Sequence, residues 1–184
     1  MKNLAIFGSG SGSNAENICL YFKRSKIARV SLICSNKSEA YIAKRAKRLS
    51  VDFVSFEKNF FNSGLKVIRV LKNYSIDYVI LAGFLLKIPK NIISLYSQKI
   101  INIHPSLLPK FKGLNTFSRM LKNKEIKAGC TVHYVNAKID SGIAIVKKSF
   151  FIKAGDDEFV LKKKTQKLEY NAYPEAIIKI FRDT

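Results

Sequence analysis

The sequence predicts an α/β fold in which a twisted, mainly parallel β-sheet is flanked by helices. Short apolar segments typical of strands alternate with amphipathic segments typical of helices through residues 1–100. Residues 76–84 (IDYVILAGF) form an almost continuous apolar run, as do strands that are buried on both faces of a parallel sheet. The length of 184 residues favours one continuous core, so we expect residues 1–184 to form a single domain.

The N-terminal elements are those of a βαβ unit. Residues 3–14 (NLAIFGSGSGSN) predict a strand followed by a glycine-rich turn, and residues 15–25 continue as a helix. A second strand follows at residues 28–36 (ARVSLICSN). The apolar face of the helix is expected to contain Ile18, Tyr21 and Phe22.

The same alternation continues toward the middle of the chain. Residues 39–50 predict an amphipathic helix whose apolar side chains are Ile42, Ala46 and Leu49. A short strand at residues 51–56 and a helix at residues 64–75 precede the apolar strand at residues 76–84.

The texture changes in the C-terminal part. A loop follows residue 104, and residues 128–152 read as two or three further strands, which we expect to include antiparallel pairs. A closing helix is predicted around residues 159–181.

The lengths of the apolar runs and the positions of the cysteines predict the cellular compartment and the absence of a metal cofactor. The apolar runs are far shorter than the ~20 residues of a membrane-spanning helix, and the N-terminus shows no signal peptide, so we expect a cytoplasmic protein with no membrane contact. Three cysteines, an odd number, lie within apolar runs. This pattern favours buried, reduced thiols over disulfides or a metal site, so no metal is expected.

The formal net charge of +20 raises the alternative of an RNA- or DNA-binding module. However, the lysines are spread over nearly every segment, and no aromatic-basic element typical of nucleic-acid binding is present. A general bias toward Lys and Ile explains the charge at least as well. Nucleic acid is therefore an unlikely partner, and the basic module stays as the alternative reading.

The glycine-rich turn Gly8–Asn14 is the first candidate site. Glycines allow close approach to the backbone, and free N–H groups at a helix N-terminus favour phosphate. No lysine follows the last glycine as in a Walker loop, and the glycine spacing does not fit a dinucleotide-binding turn. The turn therefore favours a single phosphomonoester, although it can also serve only to connect the strand to its helix.

The segment KIINIHPSLLPKFKG (residues 99–113) is the second candidate site. A strand that ends before Pro105 places Asn102 and His104 on the same side, because side chains alternate along a strand. With a carboxylate from Asp140, an amide and an imidazole suit acyl transfer by direct attack of an amine, since no serine or cysteine elbow is present. Taken singly, each residue is also an ordinary turn residue. His133 is expected to pack within a strand or to make one hydrogen bond.

Several motifs together resemble one family. The chain contains, in the expected order, the segments FGSGSGSN, ICSNK, VILAGFL, INIHPSLLPKFKG, GCTVHYV, IDSG and AGDD. Nearly from end to end it resembles the phosphoribosylglycinamide formyltransferases, within the folate-dependent formyltransferase superfamily. The resemblance implies a Rossmann-like formyltransferase fold with a phosphate-binding half (1–100) and a catalytic, folate-binding half (101–184). It also implies a monomer or homodimer without metal.

The implied reaction is transfer of the formyl group of 10-formyltetrahydrofolate, a co-substrate, to the amine of glycinamide ribonucleotide in purine biosynthesis. The implied catalytic residues are Asn102, His104 and Asp140. The implied substrate-binding residues are Gly12, Ser13 and Asn14 for the phosphate and Gln166 and Glu169 for the ribose. The implied folate-binding residues are Leu85, Leu86, Ile88 and Asp140.

Two departures from the family concern affinity. Leu86 stands where well-studied members carry an arginine, and residues 61–64 lack the arginine that many members place near the phosphate. Lys58 and Lys66 are candidate substitutes for the latter. For the mechanism, we expect a protonated His104 paired with Asp140, with a pKa above the ordinary ~6.5.

Overall fold

The computed structural model describes residues 1–182. It divides into two compact units, the first Met1–Ile101 and the second beginning at Asn102. The strand that carries Asn102 and His104 therefore begins in the first unit and ends in the second. Whether residues 1–184 act as one domain stays a prediction.

The first unit is built on parallel strands. Its strands are β1 (Lys2–Phe7), β2 (Ala28–Ser35), β3 (Asp52–Ser55), β4 (Tyr78–Leu81) and the start of β5 (Ile100–His104). They lie in the order β3-β2-β1-β4-β5, and β1 pairs in parallel with both β2 and β4. All four residues of β4 are buried, as its continuous apolar sequence predicts.

Five helices accompany these strands. They are α1 (Ser13–Phe22), α2 (Tyr41–Arg48), α3 (Lys58–Ser63), α4 (Leu65–Asn73) and α5 (Lys90–Leu95). Ile18 and Phe22 of α1 are buried as expected, but the prediction for Tyr21 is wrong, because this side chain is 57% exposed. Helices α3 and α5 were not predicted, since six residues are too few to show a helical period.

The second unit is antiparallel. Its elements after β5 are α6 (Thr116–Lys122), β6 (Lys127–Tyr134), β7 (Ala144–Phe151) and α7 (Glu158–Arg182). The strand order is β5-β6-β7, and β6 pairs antiparallel with β7. Two strands, rather than three, therefore follow the loop. The predicted fold class, a mainly parallel sheet flanked by helices with antiparallel C-terminal strands, is confirmed.

Packing in the second unit holds the elements that carry the catalytic candidates. Met120 of α6, Ala128 of β6 and Leu161 of α7 form a buried cluster, and Phe111 and Phe150 pack against it. Full burial of a large apolar side chain such as Met120 or Leu161 stabilises the unit by about 1.5–3 kcal/mol. None of the helices within residues 1–182 is long and apolar enough to cross a membrane.

Candidate active site

The second unit brings the three predicted catalytic residues into one cluster. His104 Nδ1 lies 3.3 Å from Asp140 Oδ2. Asn102 is linked to Asp140 through His133: its Nδ2 lies 3.3 Å from His133 Nε2, which lies 3.7 Å from Asp140 Oδ1. The four side chains form the chain Asn102–His133–Asp140–His104.

Local backbone geometry places each of these groups. Asn102 and His104 are two residues apart on β5, so they share one face, as predicted. Asp140 lies in the connection between β6 and β7 with a φ of 48°, a left-handed conformation that Asp tolerates better than most residues. Its Oδ2 accepts the backbone N–H of Gly113 at 2.9 Å. The carboxylate is thus held by a loop amide as well as by the imidazoles.

The hydrogen bond on the far side of the His104 ring determines which nitrogen can react. His104 Nε2 lies 2.8 Å from the carbonyl oxygen of Phe111. A carbonyl oxygen only accepts, so Nε2 carries a hydrogen and donates it. Nδ1, which faces Asp140, is therefore the atom that gains or loses a proton.

Burial changes the expected charge of His104. Burial lowers the pKa of His104 below its ordinary value, and this effect exceeds the rise caused by the Phe111 carbonyl and by Asp140. The prediction of a raised pKa is therefore wrong, because it considered the partner charge without the loss of hydration. The lowered pKa favours the neutral imidazole of His104 in the free protein, in which Nδ1 has no hydrogen and can accept a proton.

Asp140 is ionised in the same environment. Burial by itself raises the pKa of this carboxyl, but His133, the Gly113 amide and His104 together lower it by more, so that the net pKa lies below its usual range. A carboxylate thus stands ready beside Nδ1, and it stabilises an imidazolium whenever a proton reaches that atom.

His133 is a member of the cluster that the sequence did not reveal. Its side chain is buried, its Nδ1 donates to the Tyr134 carbonyl at 2.8 Å, and its Nε2 contacts both Asn102 and Asp140. The prediction that it only packs or makes one hydrogen bond is wrong. Because Nδ1 carries the hydrogen in the neutral ring, Nε2 accepts an N–H from Asn102 and so fixes the orientation of that amide. No spacing signals this contact, since 31 residues separate the two positions.

The glycine-rich turn of the first unit opens directly into helix α1. Gly12 has a φ of 74°, and a Cβ placed on it would lie 2.5 Å from the Ile42 side chain. Only glycine fits this position. Ser13 and Asn14 form the first turn of α1, and the N-terminal end of a helix favours an anion.

The segment that follows β4 is tied to the same turn. The Leu85 N–H donates to Ser9 Oγ at 2.9 Å, and the Ser9 N–H donates to the Gly83 carbonyl at 3.0 Å. The three predicted folate-binding side chains differ in exposure: Leu85 is 70% exposed, Leu86 is half-buried and Ile88 is buried. The side chain of Leu85 is therefore largely accessible to solvent.

The remaining candidates lie on helices. Gln166 and Glu169 are both half-buried on α7. Burial, and after it the Glu169 charge, raises the pKa of Cys130 on β6 to about 12. Of the two candidate phosphate-site lysines, Lys66 Nζ lies 4.6 Å from the centre of the Phe60 ring.

Within residues 1–182 the cysteines and acidic residues give no metal site. Cys19, Cys34 and Cys130 are buried free thiols. No group of three or more His, Cys, Asp or Glu side chains in this part of the chain is arranged to hold a metal ion.

Comparison with known proteins defines the class. The family model described as formyl transferase matches residues 2–177, so the chain belongs to the formyl transferase family. This range contains every candidate residue discussed above, and the predicted family is confirmed.

Particular relatives narrow the class. The chain is 32% identical to the phosphoribosylglycinamide formyltransferase of Haemophilus influenzae, covering 100% of this chain and 88% of the relative. It is 34% identical to the enzyme of that name from Bacillus subtilis, covering 96% and 93%. The crystal structure of phosphoribosylglycinamide formyltransferase from Anaplasma phagocytophilum matches with a TM-score of 0.93 at 31% identity, over 99% of this chain and 88% of that one.

Proposed function

We propose that this chain transfers the formyl group of 10-formyltetrahydrofolate to the amine of glycinamide ribonucleotide, a step of de novo purine biosynthesis. The relatives named above support the substrate, since they match this chain over nearly its whole length. The observation that carries the chemistry is the buried pair of His104 Nδ1 and Asp140 Oδ2, 3.3 Å apart, with Nε2 already engaged by Phe111.

We assign the parts of the substrates to the residues as follows. The loop of Gly12, Ser13 and Asn14 binds the phosphate through helix N–H groups. Glu169 and Gln166 bind the ribose hydroxyls, for which a half-buried carboxylate and amide are suited. Leu85, Leu86, Ile88 and Asp140 contact the folate.

Asn102 stabilises the oxyanion that forms when the amine attacks the formyl carbon. A primary amide has two N–H groups, and His133 accepts only one of them. The second is left to donate to the formyl oxygen as it becomes negative. Such a donor, already oriented at a site shielded from water, contributes up to ~3–4 kcal/mol to transition-state stability.

His104 moves the proton that the reaction must transfer. Attack leaves a positive charge on the substrate nitrogen, and the neutral Nδ1 of His104 accepts that proton while Asp140 stabilises the imidazolium. The proton then passes to the folate nitrogen as its bond to the formyl carbon breaks. One C–N bond forms, one C–N bond breaks and one proton changes nitrogen, so no other reactant is required. This role replaces the expectation that His104 begins as a cation.

The test is a formyl-transfer assay with the purified chain, glycinamide ribonucleotide and 10-formyltetrahydrofolate, in which release of tetrahydrofolate is followed by absorbance. We expect turnover that requires both substrates. The His104→Ala variant, purified in the same way, reveals any host enzyme carried through purification. No turnover by the unmodified chain, or equal turnover by the variant, would contradict the proposal.

Other expectations remain predictions. They concern the cytoplasmic location, the absence of metal, the monomeric or homodimeric state and the absence of a nucleic-acid partner. A salt-dependent association of the chain with RNA would revive the basic-module alternative.

A further inference from the structure

Helix α2 forms the support on which the glycine-rich turn rests. The Ile42 N–H donates to the Gly10 carbonyl at 3.2 Å. The Ile42 side chain packs so closely under the turn that a Cβ on Gly8 or Gly12 would lie within 2.6 Å of it. The contacts of Ile42 at the start of α2 therefore fix the conformation of the glycine-rich turn.

Arg45, one helical turn after Ile42, links Ser11 of the glycine-rich turn to Glu16 in the first turn of α1. Its Nε donates to the Ser11 carbonyl at 2.8 Å, and its terminal nitrogen forms an ion pair with Glu16. Ser11 precedes Gly12, and Glu16 lies in the first turn of α1. One guanidinium thus spans the residues on both sides of the candidate phosphate-binding positions. Its side chain is only 19% exposed, so these bonds are partly shielded from solvent.

The negative charge of Glu16 lies close to the proposed phosphate site and is neutralised by arginines. A carboxylate in the first turn stabilises a helix, but it also repels an anion bound at the same helix end. Arg45 and Arg48 bind the two carboxylate oxygens of Glu16. The two cations and the one anion leave a net positive charge beside the turn.

We propose that Arg45 is a positioning residue for the substrate phosphate. It holds the Ser11 carbonyl and Glu16 at a fixed separation, so that the N–H groups between them converge on one anion, and it neutralises Glu16. The inference rests on the proposed function for the identity of the phosphate ester, whereas the bracing contacts stand on their own. Lysine cannot replace it fully, because a single ammonium cannot present the forked donors that reach two partners at once.

The chain offers a matched control in Arg48. Arg45→Gln and Arg48→Gln each remove one positive charge and one ion pair to Glu16. Only Arg45→Gln also removes the bond to the Ser11 carbonyl. A difference between the two variants therefore reports positioning rather than net charge.

The experiment measures steady-state kinetics of the unmodified chain, Arg45→Gln, Arg45→Lys and Arg48→Gln. For Arg45→Gln we expect the KM for glycinamide ribonucleotide to rise roughly tenfold or more, with little change in kcat or in the KM for 10-formyltetrahydrofolate. The inhibition constant of inorganic phosphate, competing with the ribonucleotide, should rise in parallel. Arg45→Lys should fall between, and Arg48→Gln should change less than about threefold.

Several results would overturn the inference: unchanged constants in Arg45→Gln, an equal rise for both substrates, or equal effects of Arg45→Gln and Arg48→Gln. Thermal melting checks that each variant is folded. If Arg45→Gln does not fold, Arg45→Lys is used in its place for the same comparison. Binding of inorganic phosphate by calorimetry separates this inference from the proposed function. If the unmodified chain has no formyltransferase activity but Arg45→Gln still loses phosphate affinity, only the function fails; an unchanged affinity defeats the brace.

Discussion

The glycine-rich turn in the first unit and the histidine cluster in the second are assembled in opposite ways. Gly8–Asn14 is contiguous and leads into α1, and the phosphate binding proposed for it depends on backbone N–H groups. The cluster takes Asn102 and His104 from β5, His133 from β6 and Asp140 from the following connection. A site formed by the backbone of one contiguous segment can be predicted from local sequence. A cluster of side chains from separate strands depends on which strands become neighbours. The two sites should therefore also fail differently when altered.

Loss of a side chain from the cluster should have the largest effect. His104→Ala or Asn102→Ala should lower kcat by about 10²–10³-fold, because the lost interaction is made mainly in the transition state. The KM for glycinamide ribonucleotide should change little. Steady-state assays and circular dichroism check activity and folding together. Near-normal turnover in a folded variant would remove these residues from the mechanism.

A change in the turn should instead affect binding. In Gly12→Ala, the φ of 74° and the contact with Ile42 force a backbone shift, at a cost of about 1–3 kcal/mol. We expect the KM for glycinamide ribonucleotide to rise far more than that for the folate. Gly10→Ala is the control, since a Cβ there meets nothing within 4 Å. Equal effects on both substrates would indicate general misfolding of the turn.

A smaller effect is expected from His133, which acts on Asn102. His133→Ala should lower kcat roughly tenfold, because Asn102 loses the hydrogen bond that orients its amide. His133→Gln, which retains an acceptor, should recover part of the loss. A double-mutant cycle checks the coupling. If His133→Ala lowers kcat by the same factor in the Asn102→Ala background as in the unmodified chain, the two residues act independently.

The smallest change, and the most direct test of the electrostatics, is the protonation of His104. NMR titration of the two histidines, assigned with His133→Gln, should give His104 a pKa below its ordinary 6.5. Asp140→Asn should lower it further, because the Asp140 charge favours the protonated ring. If a neutral Nδ1 is required for activity, the acid limb that it causes should move to lower pH in this variant. A His104 pKa above 6.5 in the unmodified chain would show that the partner charge outweighs burial.

The sequence alone determined the alternation of the strands with the longer helices, the glycine-rich turn and the placement of Asn102 and His104 on one face. These features follow from local rules: the two-residue period of a strand, the apolar run of β4, and the freedom of glycine at positive φ. Asp140 was added to these two residues as a carboxylate suited to the imidazole, and the family motifs imply the same residue.

Only the tertiary structure decided the rest. His133 joins Asn102 because β6 lies beside β5, and no local pattern specifies strand neighbours. The pKa of His104 depends on how far the surrounding protein excludes water from its ring. This desolvation lowers the pKa by more than the Asp140 carboxylate raises it. Arg45 reaches Ser11, 34 residues earlier, only because α2 packs beneath the turn. Desolvation and long-range contacts arise only when the chain packs. The candidate site residues could therefore be identified from the sequence, but their protonation and their hydrogen-bond partners could not.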